Sequence, residues 1–249
     1  MAMINREVII EQLRTLKLHG MAEAFGDIEK LPLQTRPSLE MAVAKMIEAE
    51  NRHRDDQRTA KYIKASKVRY HVNIEDIICS TARNLTQEQL SELAECGFIR
   101  RGENLLITGK TGCGKSYLAC ALARQACMLG LRALYLNMNR FAEILGQARL
   151  DGTFTKMLNR LNKIDVIVFD DFGLQKMSNE TRLSLLSLLE DRYDLKSVII
   201  ASQLPLDKWY DYLAEPTLAD AIMDRLVNTS HHVSLEGPSL RGKRKTSRK

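Results

Sequence analysis

The chain has 249 residues, 45% hydrophobic and 27% charged, with a net charge of +6. That is enough for one sizeable α/β domain and a smaller piece, and the basic balance favours polyanionic partners. No apolar run reaches the roughly 20 residues of a membrane helix, "MAMINREVII" lacks a signal core, and five cysteines without a C-x-x-C pair exclude an obvious disulfide framework or zinc site, so a cytoplasmic protein without membrane association is expected.

Residues 1–69 read as a helical N-terminal domain. Ile9, Leu13 and Leu16 recur at helical spacing, as do Leu39, Val43, Met46 and Ile47. "LPLQTRPS" (31–38) separates two helical segments, with Ser38 as N-cap of the second. That helix can continue through a basic stretch in which Arg54, Arg58 and Lys61 fall on one face at 100° per residue. Beyond residue 69 the texture changes. "NLTQEQLSELAECG" (84–97) predicts a helix closed by Gly97. "NLLITG" (104–109), "RALYLNM" (132–138), "DVIVFDD" (165–171), "SVIIASQ" (197–203) and "HHVSLE" (231–236) read as strands with helices between them. Such alternation predicts an α/β fold with a mainly parallel, doubly wound sheet over 70–240. The basic residues 241–249 are expected to form a disordered tail.

"GKTGCGKS" (109–116) fits G-x-x-x-x-G-K-[ST], and it has the apolar strand before and the helix after that this motif requires. Gly109, Lys110, Thr111, Gly112, Cys113, Gly114, Lys115 and Ser116, with Tyr117 next on the helix, are the candidate nucleotide contacts. Glycines let backbone N–H groups turn inward onto phosphate oxygens, and the helix N-terminus adds partial positive charge. Lys115 is suited to the β- and γ-phosphates of ATP, and Ser116 to magnesium. A loop of this kind needs an acid at the end of a neighbouring strand. "VIVFDDFG" (166–173) supplies Asp170 as a metal ligand and Asp171 as the group that polarises a water. The same stretch contains Asp-Phe-Gly, but no G-x-G-x-x-G loop, V-A-I-K strand or H-R-D loop accompanies it, which excludes a protein-kinase reading. Ser202 and Gln203 end another apolar strand, where a polar group can sense the γ-phosphate or orient water. Arg225, in "AIMDRLVN" (221–228), is either a surface ion-pair residue or an arginine finger for a neighbouring site, a device worth ~10³–10⁵ in rate.

In this order, "GKTGCGKS … VIVFDDFG … VIIASQLP … DRLV" resembles the AAA+ ATPases of the DnaC/IstB group, and IstB most. "LRTLKLHGMAEAF" (13–25), "RGENLLITG" and "SQLPLDKWYDYL" are similar to further segments of that family, so the resemblance covers nearly the whole chain. It implies a three-layer P-loop AAA+ core behind a small helical domain, without the usual C-terminal lid. It also implies a homo-oligomer assembled on duplex DNA with ATP, Arg225 acting in trans, and recruitment of a partner transposase. Two features depart from the pattern: Asp171 stands where many AAA+ proteins have Glu, and "GPSLR" (237–241) replaces Gly-Glu-Ser-x-Arg, which bears on Arg241.

Candidate DNA contacts are Arg54, Arg58 and Lys61, and, on segments that in this clade often face a DNA channel, Arg149 and Lys156. No base-reading motif is present, so backbone contacts with little sequence preference are expected. The competing readings are a replicative helicase loader with the same ATPase parts, a small-molecule P-loop kinase, and a nucleotide switch with negligible hydrolysis.

Overall fold

The structure is a computed structural model that describes residues 5–240. The chain divides into two compact units, 1–61 and 62–249. The tail expected at 241–249, Arg241 included, lies outside the described residues.

In the first unit, α1 (Arg6–Thr15) and α2 (His19–Lys30) are separate helices, broken at Lys17 by a positive φ of 61°. Helix α3 (Leu39–Ser66) begins in this unit and ends in the second. Leu18, at the N-cap of α2, offers no side-chain hydrogen bond. Glu50 of α3 does that work from a distance: its Oε2 accepts from Gly20 N–H at 2.8 Å and Met21 N–H at 3.3 Å. Those donors would otherwise be orphaned at the positive end of the helix dipole. Burial works against the Glu50 charge, yet Arg54 at 2.7 Å and the two N–H groups prevail and hold its carboxyl below the ordinary value. A side chain at Gly20 would strike the Ala49 carbonyl, so this approach requires glycine.

The second unit is built on five parallel strands: β1 (Asn104–Gly109), β2 (Ala133–Asn137), β3 (Val166–Phe172), β4 (Ser197–Ser202) and β5 (Ser230–Leu235). Their spatial order is β2-β3-β4-β1-β5. Because strand side chains alternate between faces, each apolar run divides between two cores. Leu105, Ile107, Tyr135, Val166, Val168, Ile199 and Val233 pack on one face with α4 (Gln87–Ala94), α5 (Gly97–Arg100) and α6 (Lys115–Met128). Leu106, Leu136, Ile167, Phe169, Val198 and Ile200 pack on the other, with α7 (Met138–Leu150), α8 (Phe154–Asn162), α9 (Asn179–Arg192), α10 (Trp209–Leu213) and α11 (Pro216–Val227). Helices cover both faces and bury the central strands, as an all-parallel sheet requires, while edge strand β5 leaves His232 exposed. The helix read over 84–97 is divided. α4 stops at Ala94, Cys96 takes the left-handed turn at φ 54°, and Gly97 opens α5 instead of closing its predecessor. No described helix is long and apolar enough to cross a membrane.

Candidate nucleotide site

All five strands run the same way, so their C-terminal ends share one edge of the sheet. β1 delivers the loop 109–116 there, β3 delivers Asp170 and Asp171, and β4 delivers Ser202 and Gln203. Gly109, Gly112 and Gly114 have φ of 144°, 84° and 101°, which side-chain-bearing residues rarely adopt. Gly114 then caps α6 with no side-chain hydrogen bond, so the first N–H groups of that helix open toward the loop. Lys115 is buried, and its Nζ donates to the Gly109 and Lys110 carbonyls at 2.7 and 2.9 Å. Its ammonium therefore sits within the loop. Cys113 is 1% exposed, and the Tyr117 ring packs tilted against Tyr70 with centroids 5.8 Å apart. Thr111 Oγ1 donates to Gln203 Oε1 at 2.6 Å, tying the loop to the end of β4.

The two acids owe their placement to a bulge. β3 and β4 are in register up to Phe169↔Ile200, and pairing resumes at Phe172↔Ser202, so Asp170 and Asp171 together oppose Ala201 alone. Bulges re-aim side chains at strand ends. Asp171 takes φ 58°, a region Asp tolerates better than most residues. Beyond it, Phe172 is an anchor packed on Trp209 and Tyr212, and Gly173 sits against Leu204 where a side chain would not fit.

Both carboxylates are held by residues that sequence reading missed. The buried Tyr135 of β2 donates its hydroxyl to Asp170 Oδ2 at 2.5 Å, and Asp171 N–H donates to Oδ1 at 2.9 Å. Burial, followed by the Asp170 carboxylate itself, pushes the Tyr135 phenol up, so it remains a donor. The Tyr135 hydroxyl in turn favours the charged form of Arg69, raising its guanidinium above the ordinary value. Asn137, the last residue of β2 and the N-cap of α7, donates its side-chain amide to Asp171 Oδ2. Burial and the adjacent Asp170 raise the Asp171 carboxyl above its ordinary value, against the pull of Arg69, Asn137 and Lys115. Asn137 carried a legible signal: like Asp170, it is a polar residue ending an apolar strand.

Other candidates sit elsewhere. The Ser202 hydroxyl is fully buried and committed, donating to Phe172 O at 2.7 Å and accepting from Leu204 N–H at 3.1 Å; Gln203, just beyond β4, is the residue that reaches the loop. Arg225 belongs to the opposite edge of the sheet. Its carbonyl accepts from Asn104, the first residue of β1, and its guanidinium meets Asp224 at 2.9 Å and Glu190 at 3.6 Å. A six-residue strand spans roughly 17 Å, so Arg225 does not join the phosphate loop of its own chain. Arg58 pairs with Asp55 at 3.0 Å, and Lys61 is exposed on α3, as is Lys156 on α8. The Arg149 guanidinium lies 4.2 Å from the Phe154 ring centroid and donates to Ser184.

The arrangement has the form of a polyphosphate cradle beside two carboxylates. Comparison with known proteins agrees. The model of the IstB-like ATP binding protein family matches residues 11–248. A Sinorhizobium fredii protein named as a putative insertion sequence ATP-binding protein is 35% identical over 232 residues, covering 93% of this chain and 95% of the relative. The IS1162 protein of Pseudomonas fluorescens, of the same description, is 38% identical over 79% of this chain and 85% of its own. Among solved structures, the DnaC helicase loader aligns with TM-score 0.54 at 20% identity, over 71% of this chain and 99% of that one, and so shares the fold. With its phosphate loop at the end of β1 and its paired acids at the end of β3, the chain belongs to the IstB-like ATP-binding protein family.

Proposed function

We propose that this protein is an ATPase that assembles as a homo-oligomer on duplex DNA and serves an insertion-sequence transposase as its helper. The observation that carries this reading is the separation of its catalytic parts. Loop 109–116, Asp170, Asp171 and Gln203 share one edge of the sheet, while Arg225 stands at the other. A site that uses Arg225 needs a second subunit.

Lys115 and the loop N–H groups bind and orient the phosphates, which is most of what phosphoryl transfer asks of a protein. Asp171 positions the attacking water and accepts its hydrogen bond once Asn137 releases it. Gln203, through Thr111, reports on the γ-phosphate. Arg225 of a neighbour stabilises charge as the terminal bond breaks. The hydroxyl of Ser116 and the carboxylate of Asp170 are hard oxygen donors, which fit magnesium and would hold it. When bound, that ion would supply neutralisation of phosphate charge. Arg58, Lys61 and Lys156 provide sequence-independent contacts to DNA phosphates. Arg54, engaged by Glu50, contributes with 63% of its side chain exposed.

The test is to image the protein with a non-hydrolysable ATP analogue, with and without duplex DNA. Ordered assemblies that need both ligands are expected. Monomers under every condition would sink the proposal, and tighter binding to single strands than to duplex would turn it toward helicase loading. Replacing Arg58 and Lys61 should lessen the salt dependence of DNA affinity by about 0.9 in log–log slope for each phosphate no longer neutralised.

A further inference from the structure

Arg83 lies thirty residues before Cys113 of the phosphate loop, in the short turn Thr81–Arg83, and belongs to no motif. It is nevertheless only 7% exposed. Its Nη1 donates to the Ile78 carbonyl and its Nη2 to the Cys113 carbonyl, the latter at 2.7 Å. No salt bridge to Arg83 occurs among the described residues, and its Nε is buried without a partner. A buried charge is ordinarily matched by an acid. This one instead backs directly onto the loop: a Cβ at Gly114 would lie 2.8 Å from Nη2.

The geometry has a consequence for the loop interior. In a trans peptide the C=O and the following N–H point in opposite directions. Holding the Cys113 carbonyl from outside therefore turns the Gly114 N–H to the inner side, where phosphates bind. The preceding carbonyl is held likewise, since Gly112 O accepts from Leu240 N–H at 3.0 Å. The two outer holds are themselves joined, because Glu236 N–H donates to the Arg83 carbonyl at 3.1 Å.

We propose that Arg83 is a positioning residue for nucleotide binding. It presets the Cys113–Gly114 peptide from behind the loop, and its unmatched charge is completed when phosphate arrives. This rests on the reading of 109–116 as a nucleotide site. The loop backbone serves the phosphates that ATP and ADP share, so both nucleotides should depend on Arg83 alike.

The experiment is calorimetric titration of the full chain with ATP and with ADP, alongside the melting temperature of the nucleotide-free protein. If the wild type binds neither, the nucleotide reading itself falls, and this proposal with it. If the wild type binds, Arg83→Gln should weaken both nucleotides at least about tenfold while melting near the wild type. Wild-type affinity in a folded Arg83→Gln protein overturns the proposal. So does full rescue by Arg83→Lys, because a flexible ammonium cannot reproduce a planar fork on two carbonyls. Should Arg83→Gln fail to fold, Arg83→Lys carries the test alone, with a loss of at least about tenfold expected for both nucleotides and wild-type affinity overturning the proposal.

Discussion

The two edges of the sheet use polar groups in opposite ways. At the edge where the strands begin, Arg192 is 1% exposed, and its guanidinium donates to the carbonyls of Leu161, Ile164, Asp165 and Ser197 at 2.6–3.3 Å. Asn104 beside it accepts from Val198 N–H and donates to the Arg225 and Leu226 carbonyls. Burial lowers the Arg192 guanidinium to about 10, still charged at neutral pH. Here the polar side chains are spent on strand and helix ends of the same unit, although Arg192 Nε, like Arg83 Nε, is buried without a partner. Positive φ occurs at both edges, at Gly102, Gly130 and Asp194 ahead of strands and at Gly109, Gly112, Gly114, Asp171 and Gly173 beyond or within their ends, but at the second edge, where the strands end, it accompanies two adjacent carboxylates that share a site. Strain and like charges persist only where the surroundings over-determine them. The first edge holds the fold together, and the second is arranged around something that is to bind.

This contrast can be broken experimentally. Lys115→Ala should have the largest effect: hydrolysis falls by at least about 10²-fold, as for other preorganised charge-stabilising groups, while the melting temperature stays close to wild type. A large drop in melting temperature would mean that the lysine's role is structural. Arg192→Ala should do the reverse. It leaves carbonyls buried and unpaired, and urea titration should read a loss of about 3–5 kcal/mol, with nucleotide affinity of the folded fraction unchanged. Tyr135→Phe is subtler. It deletes one donor from Asp170 and should lower kcat about tenfold with little change in ADP affinity; equal losses in both would make Tyr135 part of the scaffold.

The smallest effect concerns pH. Because the Asp171 carboxyl lies above its ordinary value, its protonated form persists to higher pH than in a free aspartate. The acid limb of kcat should therefore sit above that ordinary value. Asn137 stabilises the charged form, so Asn137→Ala should move the limb further up. A downward move, or none, would remove Asn137 from the site.

Much of the second unit was legible in the sequence because its signals are local. Glycines at 109, 112 and 114 demand a turn, and runs such as "VIVF" and "VIIA" are too apolar for anything but buried strands. What escaped was set by pairing between distant segments. Tyr135 looked like one more strand residue until the β2–β3 register set it beside Asp170. Arg83 drew no attention in the sequence, because only the closing of its turn against Cys113 gives it a partner in the loop. Arg54 read as a free DNA contact, yet α3 brings it to Glu50, whose capping of α2 no motif announces. The break between α1 and α2 was hidden for a similar reason: apolar spacing runs on through "LRTLKLHGMAEAF", and only Lys17's positive φ interrupts it.

The bulge in β3 also bears on the second acid's identity. Asp is one of the few side-chain-bearing residues at ease with positive φ, because its short polar chain can bond locally. Glutamate would reach one methylene farther toward the terminal phosphate, but from a backbone that suits it less. Position 171 is thus a choice between reach and conformational ease, and aspartate takes ease. On the proposed mechanism, the water-positioning group is held on a short tether, so the neighbouring subunit must come close before the site is complete.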